Sequence, residues 1–175
     1  MKYLLTLFLS FVALFSFAQV DQADSASIST AGKQGTEMAR LLLAKDYTAF
    51  AKFTYPPVKK MAGSEEKLIE LLKSSIANLE SQGISIINCS VENPEKIIHF
   101  KNTLQCTLIQ NIEMKVPNGR MMAKSALIGI SANNGKNWTF VDTHGSDLKT
   151  LQKNIPGLSN SLNIPEKQEP VFIKE

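Results

Sequence analysis

The chain has 175 residues, 43% hydrophobic and 20% charged, an ordinary globular composition that excludes collagen-like, coiled-coil and wholly disordered architectures. Nineteen Lys and Arg against sixteen Asp and Glu leave a net charge of +3, too small and too scattered to form a dedicated nucleic-acid or anionic-membrane surface. The length suits one domain with a real core.

Residues 1–18, MKYLLTLFLSFVALFSFA, read as a secretory signal peptide: Lys2 supplies the positive end, Tyr3 to Phe17 the apolar stretch, and Ala18 a small residue before the cleavage point. The apolar run is shorter than the ~20 residues a membrane span needs, and no basic stop-transfer cluster follows it. The expected product is exported to the periplasm or the medium, with no integral membrane association after cleavage. The leader also takes four of the nine Phe residues, so the mature core must be mainly aliphatic.

Residues 19–35 are small and polar and read as a flexible N-terminal arm. From Thr36 the apolar residues Met38, Leu41 and Leu42 recur at helical spacing. Asp46 can cap a second helix carrying Tyr47, Phe50 and Phe53, which Tyr55-Pro56-Pro57 stops. A longer helix opens at Ser64, has Glu65 and Glu66 at its positive end, and finishes at Gly83. The apolar period then shortens to two. Ile84 to Val91 form a strand, Glu92 to Glu95 a turn, and Ile98 to Val116 one long strand with Leu104, Cys106, Leu108 and Ile112 on its core face and His99 on the polar, outer face. Asn118-Gly119 marks a tight hairpin into Met121–Ser131, and Asn133-Asn134-Gly135 turns into Asn137–Thr143. Residues 146–175 predict a short helix capped by Asp147 and an extended tail. The fold class is thus α+β, with N-terminal helices packed on a curved antiparallel sheet of about four to six strands over residues 36–145.

This order of elements resembles the nuclear transport factor two-like, or cystatin-like, superfamily, a cone-shaped roll. Within it, Asp46-Tyr47, Tyr55-Pro56-Pro57 and the segment Gly135 to Asp142, GKNWTFVD, look like those of an uncharacterised family of secreted bacterial proteins. The resemblance implies a fold and a pocket between the helices and the concave sheet face. It does not imply an activity, because the superfamily holds both cofactor-free lyases or isomerases and non-catalytic binding modules.

The candidate site residues follow from residue type and strand parity. Asp142 and His144 share a strand face and could form a carboxylate–imidazole base at the pocket mouth, with Tyr55 as a proton donor. The alternative is a plain strand end at the rim. Asn102 and Gln110 interrupt an apolar face and, with Tyr55 and Trp138, are candidates for ligand binding. Ser131-x-Asn133-x-Gly135-x-x-Trp138 resembles a propeller Asp-box, but a single copy reads as turn chemistry. Cys89 and Cys106 lie in strands and are either bridged or two buried thiols. Two Cys and two His show no metal-ligand spacing, and no phosphate-cradling or cofactor motif is present. The expected partner is a small apolar molecule or another protein bound without catalysis, with an Asp142/His144 lyase or isomerase as the rival. A homodimer formed through Met121, Met122 and Ile109 is a third reading.

Overall fold

The strongest period-two pattern of the chain forms the middle of the sheet. β3 (Thr103–Val116) and β4 (Gly119–Ser131) pair antiparallel along their whole length, from Leu104 opposite Ser131 to Val116 opposite Gly119. The loop between them is Pro117-Asn118, with Asn118 in the left-handed region, so Gly119 opens the returning strand rather than sitting in the turn. β1 (Ser85–Val91) and β2 (Ile98–Phe100) line the free edge of β3. The free edge of β4 is taken by β5 (Thr139–Asp142) and β6 (Val171–Lys174), giving an open six-stranded antiparallel sheet. With its helices, this is an α+β fold.

The structure is a computed structural model and describes residues 22–174. Helix α1 (Lys2–Leu43) begins upstream of them, and the signal peptide expected over residues 1–18 lies outside the described residues. Among the described residues no helix is long and apolar enough to cross a membrane. Residues 22–35 are not an arm. They belong to α1, where Ala31 is fully buried and Gly32 and Gly35 bring the helix against the end of β1. A Cβ on Gly35 would come within 2.8 Å of Val91 Cγ1, and one on Gly32 within 1.7 Å of Asn93 Oδ1. Glycine weakens a helix by roughly 1 kcal/mol against alanine, and here the close approach it permits offsets that cost. Gln34 fastens the same stretch to the β4–β5 hairpin, its Oε1 accepting the Trp138 backbone N–H at 2.7 Å and its Nε2 donating to the Lys136 carbonyl at 2.9 Å.

Asp46 caps α2 (Tyr47–Ala51) by accepting the Ala49 N–H at 3.0 Å. The Tyr55-Pro56-Pro57 corner ends that segment and also opens a short α3 (Pro56–Met61), since proline lacks only an N–H that the first helical turn leaves unpaired anyway. Just before it, Phe53 O accepts from Phe140 N and Phe140 O accepts from Tyr55 N, bracing the helices on the outer edge of β5. α4 (Glu65–Ser81) is capped by Ser64, and Gly83 in the left-handed region ends it.

Four further expectations change. The long strand from Ile98 breaks at Lys101-Asn102: Lys101 takes a left-handed conformation and the chain reverses, so Phe100 pairs with Thr103 and Ile98 with Gln105. An uninterrupted alternation of apolar residues conceals such a tight hairpin, yet the turn inverts the parity: Ile98 joins Gln105 on the outer face, and His99 joins Leu104 on the face under α1. In β1 the register shifts between Ile86 and Asn88, a bulge that leaves Ile87 unpaired and turned outwards. The outer face of the sheet is not left to solvent. Ile128, Ile130 and Val141 pack there against Leu151 and Ile155 of α5 (Leu148–Asn154) and its end, and against Leu158 and Leu162 beyond it. The C-terminal tail then returns as β6 instead of remaining a free extended segment.

Gln105 clasps this second layer. Its side chain is fully buried on the outer face, with Oε1 accepting the Ser159 N–H at 2.9 Å and Nε2 donating to the Gly157 carbonyl at 2.8 Å and to Thr103 Oγ1 at 3.0 Å. The nearly isosteric Gln105→Leu leaves a buried N–H and a carbonyl without partners. At about 1–3 kcal/mol for each such group, the expected loss is roughly 2–4 kcal/mol, read from the urea unfolding midpoint. A change below about 1 kcal/mol would mean that the C-terminal layer contributes little to the fold.

Candidate functional site

An amphipathic helix normally buries its apolar stripe, yet no residue of α4 is fully buried although Leu68, Leu72, Ile76 and Leu79 follow one face. The reason lies below the helix. Between the helices and the sheet there is a cavity of about 470 Å³. Met38 and Leu42 of α1, Phe50 of α2, Val58 and Met61 of α3, and Leu68 and Leu72 of α4 form its roof; Gln110, Ile112, Leu127 and Phe140 lie on the sheet side. The volume falls in the range that holds drug-sized ligands, and the lining is largely apolar with a few polar groups.

Those polar groups are Gln110 on the floor and Thr54, Asp142, Thr143, His144, Ser146 and Asn154 towards one end. Gln110 is buried, donates to Cys89 Sγ at 3.4 Å, and accepts from the Ser125 hydroxyl, its cross-strand neighbour, at 3.3 Å. The Ser125 contact is long for a hydroxyl–oxygen bond and sulfur is a weak acceptor, so the amide is only loosely held.

Asp142 and His144 lie at the mouth but do not form a base pair of groups. Asp142 Oδ1 accepts the His144 backbone N–H at 2.8 Å and holds a turn in which His144 and Gly145 are both left-handed. The imidazole Nδ1 stands 3.8 Å from the same oxygen, beyond hydrogen-bond reach, and the side chain is 85% exposed. The carboxylate thus orients backbone rather than the ring.

The other candidates scatter. Asn102 sits exposed in the β2–β3 turn, away from the cavity, because the chain reverses there. Tyr55 packs with Val58 against the Ile128–Val141 cluster of the outer layer and does not line the cavity. Trp138 is buried in the core, its indole N–H donating to Gly135 O at 3.0 Å over its own hairpin. Around it, Ser131 Oγ accepts from Gly135 N at 3.0 Å and Asn133 Oδ1 from Asn137 N at 2.9 Å, which is turn chemistry and not a binding site. His99 is not on the outer side: the turn at Lys101-Asn102 places it opposite Leu104 on the face that α1 covers, where its Nε2 meets Asp24 Oδ1 of α1 at 2.8 Å. Ile109 does not stand free on an outer dimer face: it lies in a second cavity, of about 480 Å³, beneath the strap Pro165–Pro170. Met122 remains exposed.

The strongest cavity residues were hidden from sequence reasoning by their ordinariness. Phe50, Leu68 and Leu72 carry the same helical period as core residues, and only the absence of a covering neighbour distinguishes them.

Cys89 and Cys106 are not bridged. Cys89 lies opposite Ile112, six positions along β3 from Cys106, so at ~3.3 Å per residue the two are about 20 Å apart, against the ~7 Å Cα separation a disulfide tolerates. Burial pushes the Cys106 thiol up to about 12, and burial likewise raises Cys89. Neither thiol should react with a thiol reagent in the folded protein at neutral pH, both should react in urea, and the intact mass should lack the two-hydrogen loss of a bridge. Fast native labelling of both would contradict this burial.

Compared with protein-family models, with curated proteins and with solved structures, the chain matches none.

Proposed function

We propose that the protein is an exported, non-enzymatic binding module that holds a small apolar ligand in the cavity between its helices and its sheet. The observation that carries this reading is the cavity itself: about 470 Å³, roofed by aliphatic, aromatic and thioether side chains, under a helix whose apolar face is otherwise unfilled. Protein interiors are close-packed, so a space of this size inside a domain is a departure that ligand burial accounts for. The geometry at Asp142 and His144 favours binding over lyase or isomerase chemistry, since the ring nitrogen is out of reach of the carboxylate and faces solvent. The order of helices followed by an antiparallel sheet supports the nuclear transport factor two-like assignment, and the apolar run Tyr3 to Phe17 supports export.

A neutral apolar dye tests the cavity. Nile red should bind saturably at one site per chain, and Leu72→Trp, which sets an indole into the space from a half-buried position, should weaken it by at least about tenfold, or ~1.4 kcal/mol. Linear, non-saturable fluorescence, or equal affinity in the variant, would remove the reading. Export is checked separately: protein recovered outside the cytoplasm should begin at Gln19.

A further inference from the structure

The cavity wall is asymmetric in charge. Its titratable residues are Asp142 and His144, and no lysine of α3 or α4 lines it. Lys45 and Lys59, next to the helices that build the roof, are engaged with Glu80 and Glu65. The His144 ring projects into solvent, where its charge state is screened. Asp142 is different: its side chain is 31% exposed, Oδ1 is used by the His144 N–H, and among the described residues Oδ2 accepts no hydrogen bond. A carboxylate oxygen at the edge of an apolar space, without a protein donor, is a place for a ligand's donor.

Resting on the reading of the cavity as a ligand site, we infer that the site selects by charge: it takes an apolar tail with a cationic amine head, Asp142 supplying the counter-charge, and rejects carboxylates. The tail lies against Leu68, Leu72, Leu127 and Phe140, and the amine donates to Asp142 Oδ2 at the mouth. An anionic head would meet a like charge there with no lysine or arginine on the wall to offset it. The negative field extends inward: besides burial, which is the larger cause, the Asp142 charge raises the thiol of Cys89, which neighbours Gln110 of the cavity floor, against the lowering effect of the Gln110 hydrogen bond.

The test uses three probes with one tail and different heads, decylamine, decanol and decanoate, titrated calorimetrically into the protein below their aggregation concentrations. Decylamine should bind about tenfold or more tighter than decanol, as a charge-assisted hydrogen bond allows, and decanoate should bind weakest. Asp142→Asn keeps the oxygen that receives the His144 N–H, so the turn survives, and it should bring decylamine and decanol to similar affinity. His144→Gln should leave the order unchanged. Decanoate binding as tightly as decylamine, an unchanged amine advantage in Asp142→Asn, or loss of that advantage in His144→Gln would overturn the inference. If all three bind equally, the cavity stands and charge selection falls. If none binds saturably, the ligand site itself falls and the inference with it.

Discussion

How closely α1 can lie on the sheet governs the rest of the molecule. Gly32 and Gly35 leave no side chain between the helix backbone and the Val91–Asn93 end of β1, and Ala31 and Met38 then reach the same buried cluster as Cys106, Leu108 and Trp138. A bulkier residue at either glycine would force the helix outward by the width of a side chain. Gln34 adds direction to this contact, since its amide spans from α1 to both Lys136 and Trp138 of the β4–β5 hairpin. One stretch of helix thereby fixes two edges of the sheet at once.

The cavity follows from what that contact cannot do. The Gly32–Gly35 stretch of α1 lies close to the sheet, Met38 borders both the packed cluster and the cavity, and Leu42, nearer the helix's end, passes over open space. α2 and α3 are held from the other side, through the backbone bonds of Phe53 and Tyr55 to Phe140. α4 is then left to cover the remaining distance with side chains that do not fill it. The sheet's second face has its own layer, clasped by Gln105, so the fold is stable without a tightly packed first layer at the cavity end. Packing defects of this kind cost stability, and a fold with two separate apolar clusters tolerates one more readily than a fold with a single core.

Much of the architecture is legible in the amino-acid order, and the exceptions have physical causes. The caps at Asp46, Ser64 and Asp147 and the stop at Gly83 announce themselves because each satisfies or ends a helix by local bonds. The helix over residues 22–35 does not, since its serine, threonine and glycine residues carry weak helical propensity and its order comes from a surface, β1, that lies far along the chain. The hairpin at Lys101-Asn102 lacks the usual glycine, the left-handed residue being Lys101. At the site, Gln110 is legible because an amide on an apolar strand face needs explaining. Asp142 is legible as a polar residue at a strand end, but whether its partner is a ring or a backbone N–H depends on the left-handed turn at His144, which no spacing rule specifies.

β6 covers the edge of β4 over Gly119 to Met122, where β5 does not reach, and its own Val171, Phe172 and Ile173 are left exposed. The strand therefore shifts an open edge outward rather than abolishing it, and an apolar open edge is a template on which other chains can assemble into aggregates. Pro170 directly before the strand and Lys174 at its end limit that template to a few residues, one flank unable to donate a ladder hydrogen bond and the other carrying a charge. These two flanking residues, rather than any feature of the core, are what shortens the edge on which a second chain could pair.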